Sequence, residues 1–305
     1  MNGRSTSTTA GGELAWPIAP AVPAPPDVAR RPWDPRLYQI ATLGLLLVYG
    51  IGWLDLEVRA GQAAAILATV LLTQYVAGSL AGPPGAPRFD PRSALISGLS
   101  LCLLLRTNVL SLAVLTAVVA IASKFLVRWR GKHLFNPTNC ALVVMMLATG
   151  QVWVSPGQWG SVAVFAFLLA SLGGLVVNRA ARSDVTLAFL LSHAAIVVGR
   201  SSWLGEPLAI PLHRLSNGAL VLFAFFMISD PKTTPDARAG RILFAALVAL
   251  GAGFVQFTLH RPNGLLWSLA VVHLAGPLFD RLLPGPRYDW ASRGRPAPRP
   301  ERRVP

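Results

Sequence analysis

Residues 223–247 read FAFFMISDPKTTPDARAGRILFAAL: an apolar run, a polar interruption with two prolines, and a second apolar run. The interruption decides how its flanks are read. A residue that precedes proline is pushed out of the helical region, so a helix entering from Phe223 ends at Asp230-Pro231 and another begins after Pro235. The stretch is two apolar helices joined by a charged turn. The rest of the chain repeats the pattern, with 53% hydrophobic residues, 13% charged residues and a mean hydropathy of +0.52. Soluble domains carry about 25% charged residues, so this composition predicts an all-α integral membrane protein.

Ten apolar segments follow: 37–55, 60–81, 92–105, 108–128, 137–150, 157–178, 184–200, 216–229, 239–259 and 262–282. A straight helix needs roughly 20 residues to cross the hydrocarbon. Segments 92–105, 137–150 and 216–229 are therefore expected to be short, broken helices packed inside the protein. Residues 1–36 are expected to form a disordered Pro/Ala-rich cytoplasmic arm without a signal peptide, residues 37–283 the transmembrane domain, and residues 284–305 a basic disordered cytoplasmic tail.

With the N-terminus inside, 22 of the 27 lysines and arginines fall on the inner side, leaving Arg59, Arg106, Arg200, Arg214 and Arg261 outside. That asymmetry predicts both termini in the cytoplasm, and Trp53, Trp129, Trp153, Trp159 and Trp203 fall near span ends as an interfacial belt does. The net charge of +14 is spread through short loops and the tail rather than gathered on one face, which argues against a nucleic-acid partner and for the lipid bilayer. Cys102 and Cys140 fit neither a disulfide framework nor a metal spacing, so no metal site is expected.

A repeat is visible inside the chain. LFNPTNCALVVM from Leu134 is similar to LHRPNGLLWSLAV from Leu259, with Pro137 on Pro262 at an offset of 125 (262 − 137). At nearly that offset RSALISGLSLCLLL from Arg92 falls on NGALVLFAFFMIS from Asn217. Five spans per copy is an odd number, so the second copy would be inverted, giving repeat one over about 37–150 and repeat two over about 157–282. Inverted repeats with interrupted helices place a central site near the midplane. The alternative is a plain bundle whose Ala/Leu-rich segments align by chance.

The marked polar residues carry two readings each. Asn136, Pro137, Thr138 and Asn139 sit where a cytoplasmic loop becomes a span, so Asn136 is a plausible N-cap and Pro137 suits the first turn. Buried between repeats, the same helix start would aim N–H groups at an anionic or carbonyl-bearing ligand, with Arg261 and Asn263 as its outer counterpart. Asp230 ends one helix and Asp236 is placed to cap the next, while Lys232, Thr233 and Thr234 either shape the turn or grip a cofactor phosphate or a partner. His193 and His273 lie within spans, as carbonyl-bonded core residues, as proton carriers or as haem ligands. Gln74 and Lys124 add hydrogen-bonding capacity, and Lys124 is long enough to snorkel to the inner surface.

The order of KHLFNPTN after the fourth span, ISDPKTTP after the eighth and RPNGLLWSLAVVHLAGPLFD in the last resembles the RnfD/NqrB family of membrane electron-transport subunits, over roughly residues 35–283. WVSPGQWG after the fifth span looks most like the UnbU branch, associated with enediyne biosynthesis. The resemblance implies a fold of about ten transmembrane helices in two inverted five-helix repeats, flavin chemistry, and membrane or biosynthetic redox subunits as partners in a bacterial cytoplasmic membrane. Complex-forming members carry FMN on the threonine of a Ser-Gly-Ala-Thr motif in the outer loop after the fifth span. Here that loop, GQVWVSPGQWGS at 150–161, has no threonine, and the motif occurs nowhere in the chain. The cofactor expected is therefore a noncovalent flavin, FMN or riboflavin, and covalent FMN is not expected.

No Walker loop, dinucleotide fingerprint, HExxH or G-x-S-x-G element occurs, so the chain is at most a redox subunit and not a stand-alone enzyme. Three functions stay open: support of membrane electron transfer, a channel or transporter that keeps the inverted-repeat scaffold without the redox role, or a non-redox scaffold for biosynthetic partners.

Overall fold

A computed structural model describes residues 34–52, 58–81, 89–154, 174 and 182–288. The predicted span 157–178 apart from residue 174, most of the two terminal segments, and Trp53 and Trp159 lie outside the described residues.

The first half contributes α1 (Pro35–Gly52), α2 (Ala60–Ala81), α3 (Pro91–Leu104), α4 (Leu110–Leu126) and α5 (Pro137–Thr149). The second contributes α6 (Ser183–Trp203), α7 (Ala209–Leu215), α8 (Gly218–Leu222), α9 (Arg238–Phe257), α10 (Gly264–Leu274) and α11 (Gly276–Leu282). Strand among the described residues is confined to two-residue pairs. β1 (Leu105–Arg106) pairs antiparallel with β4 (Trp153–Val154), and β2 (Arg128–Trp129) pairs with β3 (Lys132–His133). The β2–β3 hairpin turns on Arg130 and Gly131, both at positive φ, as a tight two-residue hairpin requires.

Among the described residues, helices α2, α6 and α9 are each long and apolar enough to cross a bilayer, and counting two bent pairs as one span each raises the number to five. The chain is a multi-pass membrane protein. The bent pairs are α7 with α8 and its extension, at 46°, and α10 with α11, at 51°. Segment 262–282, expected as one helix, breaks at Ala275 because Pro277 at the start of α11 has no N–H to continue the ladder of α10. The short segments 92–105 and 137–150 are the short helices α3 and α5.

Three of the short helices, α3, α5 and α8, begin on a side-chain cap. Asp90 accepts from the Arg92 amide with Pro91 in the first turn, Asn136 accepts from the Asn139 amide with Pro137 in the first turn, and Asn217 accepts from the Ala219 amide. At α10 the residue before the helix, Asn263, adopts the left-handed conformation at φ 60° and makes no side-chain cap. These starts recur at an offset of 127 (217 − 90 and 263 − 136), not at the 125 read from Pro137 and Pro262. A proline opens α5, whereas Pro262 stands outside α10, so matching the prolines shifts the register.

The packing order is the same in both halves. α4 lies between α2 and α5, α9 lies between α6 and α10, and α5 meets α10 where the halves join. Glycine allows the close approaches. A Cβ on Gly98 of α3 would stand 2.7 Å from Val70 Cγ2 of α2, and one on Gly264 of α10 would stand 2.7 Å from the Ala252 carbonyl of α9.

Asp236 departs from its expected role. α9 starts after Ala237 with no side-chain cap; the Asp236 carboxylate pairs with Lys132 at 3.0 Å and its amide donates to Asp280 Oδ1 at 2.9 Å. The turn is thus tied to the β2–β3 hairpin and to α11 instead of capping the helix that follows it.

Candidate functional site

The stretch before the turn holds the main irregularity. After α8 the chain makes a π-helical turn, Phe223–Met227, closed by the Ile228 amide on the Phe223 carbonyl. A π turn admits one extra residue into the helix and re-aims side chains, and such turns are frequent at functional sites. Here Phe225, Phe226 and Met227 form one wall of a cavity of about 330 Å³ between the two halves.

The opposite walls come from the N-terminal end of α1, from Gln74 of α2, from the first three turns of α3, from Lys124, from His133 and from the start of α5. On α3, Ser93, Ser97 and Ser100 recur at helical spacing and all line the cavity. The site is polar on the α3–α5 side and aromatic on the π-turn side.

Of the residues picked out by sequence, Asn136, Pro137, Thr138, Asp230 and Lys232 meet at this cavity. The Asn136 side chain caps α5 and also donates across the halves, to the Met227 carbonyl at 3.4 Å and to Asp230 Oδ2 at 3.3 Å. Thr138 Oγ1 donates to the Ser97 carbonyl at 3.5 Å. Asp230 Oδ1 accepts from the Lys232 amide at 3.0 Å, an Asx turn that orders the Pro231 bend. Burial pushes the Asp230 carboxyl above its ordinary value, against the pull of the Lys232 amide and of the Lys124 charge.

The other expected residues stand elsewhere. Thr233 is buried and turns back on the Asp230 carbonyl through both its amide and its hydroxyl. The Thr234 hydroxyl accepts from Arg182 Nε at 3.1 Å, and Arg182 in turn lies over the Tyr288 ring. The two threonines therefore build the turn and its attachment. Asn139 sits wholly buried behind the cavity, and neither polar atom of its side chain has a partner among the described residues. Arg261 is exposed, and Asn263 reaches Met146 Sδ on α5 at 3.7 Å. Met146 lies toward the C-terminal end of α5, so these two face the end away from Asn136.

His193 stacks on Phe189, with ring centroids 5.6 Å apart. His273 is 1% exposed between Phe135 and Phe244, and neither ring nitrogen has a partner among the described residues. Neither histidine lines the cavity.

Lys124 does not snorkel. It is 5% exposed, and its Nζ donates to the Ser93 carbonyl at 2.8 Å and to Ser93 Oγ at 3.0 Å. Two signals in the sequence mark this wall: a lysine inside an apolar helix, and a serine stripe on a segment too short to span. Gln74 Oε1 and His133 Nδ1, which also line the cavity, are buried without a partner among the described residues.

Residues 147–288 match the NQR2, RnfD, RnfE family. A protein of Citrobacter koseri, named as a subunit of the ion-translocating oxidoreductase complex, is 27% identical over 136 residues, 45% of this chain and 36% of that protein. Proteins of the same name from Klebsiella pneumoniae and Escherichia coli O1:K1 are each 32% identical, over 127 and 130 residues. Those matches cover 40% and 42% of this chain and 34% and 32% of the relatives. The chain thus spans about a third of the length of the curated relatives it matches. The family match takes in α6 to α11, and with them the π turn and the Asp230 loop, whereas Lys124, the serine stripe and Asn136 lie ahead of it.

A second cavity, of about 470 Å³, opens at the other end of α2 and α3, lined by Arg59, Gln62, Cys102, Arg106, Asn108 and Trp153 among others. Arg106 is buried there and donates to the Cys102 and Leu105 carbonyls, closing the end of α3.

Proposed function

We propose that the chain is an RnfD/NqrB-like subunit of the bacterial inner membrane that supports electron transfer, with a noncovalent flavin in the cavity between its halves. The observation that carries the reading is the make-up of that cavity. An isoalloxazine is flat, apolar on its faces and lined with carbonyl and N–H groups at one edge. Phe225 and Phe226 offer a face, while Gln74 Oε1 and His133 Nδ1 are buried polar atoms that lack partners among the described residues. Such atoms call for a ligand or ordered water, and about 330 Å³ is within the range of about 300–1,000 Å³ of small-molecule sites. Asn136, Thr138, Asp230 and Lys232 would hold the ligand's polar edge; a bound flavin supplies one- and two-electron transfer.

The wider architecture proposed is ten spans in two inverted five-helix repeats with both termini cytoplasmic. It is supported by the matched packing orders α2–α4–α5 and α6–α9–α10 and by the paired offset of 127 (263 − 136 and 217 − 90). On the likeness of WVSPGQWG to the UnbU branch, the pathway served is enediyne biosynthesis. Partners would be other membrane or biosynthetic redox subunits.

Absorbance and acid-released flavin from the detergent-purified chain test the redox reading; a preparation colourless even from its native host would end it. A reporter placed after Arg303 tests the topology and should face the cytoplasm.

A second reading, a channel or transporter, is favoured by the pair of cavities. Ser100 lines one and Cys102 lines the other, so along α3 the two lie about 3 Å apart in axial rise. Solute flux in proteoliposomes, with no flavin recovered, would support it.

A further inference from the structure

The cavity wall carries a buried cation with unfinished bonding. Lys124 spends two donors on Ser93, an ammonium has three, and no carboxylate pairs with it among the described residues. The neighbouring carboxylates are already engaged. Asp90 pairs with Arg36 at 2.5 Å, and Asp230 accepts from the Lys232 amide and from Asn136.

Ser93 links Lys124 to the start of α5. Its carbonyl accepts from Lys124 Nζ and from Ser97 Oγ, and the Ser97 carbonyl accepts from Thr138 Oγ1. Thr138 belongs to the first turn of α5, a 13-residue helix whose positive end faces the cavity through Asn136, Pro137 and Thr138. A buried ammonium, the Ser93 hydroxyl and a helix N-terminus thus meet at one cavity, a donor set that suits a compact anion.

We propose that Lys124, Ser93 and Thr138, at the start of α5, form a subsite for the phosphate monoester of the cavity's ligand. The proposal rests on the flavin reading above and, within it, selects FMN over riboflavin, which lacks the phosphate. Asp230 lines the same cavity and accepts from the Lys232 amide and the Asn136 side-chain amide.

The test is a titration of the detergent-purified full chain, stripped of flavin, with FMN and with riboflavin, read by flavin fluorescence. FMN should bind at least about tenfold more tightly, the worth of one charge-assisted contact. Lys124→Met should abolish the difference, and Lys124→Arg, which keeps the charge, should retain most of it. Equal affinity for the two flavins in the unaltered chain would overturn the subsite and leave the flavin reading standing. Binding of neither flavin would end the flavin reading. In that case a rise in melting temperature with inorganic phosphate, lost in Lys124→Met, would still support the anion subsite, and no rise would overturn it as well.

Discussion

Asn136 Nδ2 stands 3.3 Å from Asp230 Oδ2, joining the start of α5 to the turn 94 residues further along the chain. The same side chain caps α5 through Oδ1 and reaches the Met227 carbonyl at the end of the π turn. One residue thereby fixes the helix start, the π turn and the acidic turn relative to one another.

Replacing Asn136 with Ala should be costly in proportion. Loss of the cap costs roughly 1 kcal/mol, and a buried acceptor left without its donor costs about 1–3 kcal/mol more. Thermal melting in detergent should show this as a clear drop. Asn136→Asp keeps the cap but sets a carboxylate against Asp230, so its melting temperature should recover as the pH falls and one of the pair takes up a proton.

Lys132 holds Asp280 at 2.8 Å and Asp236 at 3.0 Å, with all three side chains largely buried. Lys132→Met leaves two carboxylates facing each other and should cost about 2–3 kcal/mol. A double-mutant cycle with Asp280→Asn should show coupling of about 1 kcal/mol or more. Strict additivity would mean that the pair contributes nothing as a pair.

His133, in the hairpin before α5, predicts an acid sensitivity. Burial, with help from the charges of Arg128 and Lys124, pushes its pKa from 6.5 down to about 4. The folded chain therefore keeps the ring neutral while the unfolded chain protonates it. Stability should fall as the pH drops from 6.5 to about 4, with no further loss from this group below that. The loss is at most about 3 kcal/mol. His133→Gln should flatten the melting temperature over that window; an unchanged slope would assign it to another group.

Gly98 controls the approach of α3 to α2. Gly98→Ala should destabilise by about 1–3 kcal/mol, because the new methyl meets Val70 Cγ2 at 2.7 Å. Val70→Ala in the same chain should restore part of the loss. If it restores none, the contact is not what makes glycine necessary there.

The membrane class, the short helices and their caps were legible in local pattern. Asp90-Pro91 and Asn136-Pro137 are helix starts by their own chemistry, and the structure places α3 and α5 there. The gap between sequence and structure was widest for side chains whose role depends on depth. Lys124 reads equally as a snorkelling lysine or a buried one, since only the path of α3 past α4 decides whether its ammonium meets water or Ser93. Thr233 and Thr234 look like ligand donors in a one-dimensional chain; the fold spends one on its own turn and the other on Arg182.

Composition, apolar length and the Asp/Asn-capped starts were enough to determine a multi-pass helical protein with broken helices, because those properties are set by each segment's own backbone and its solvent. The cavity was decided by tertiary structure alone. Its walls are Gln74, Lys124, the serine face of α3, the cap of α5 and the π turn, which are far apart in sequence and meet only where the halves pack. No local propensity specifies that meeting. It follows from how glycine contacts and cross-half hydrogen bonds set the helices against each other.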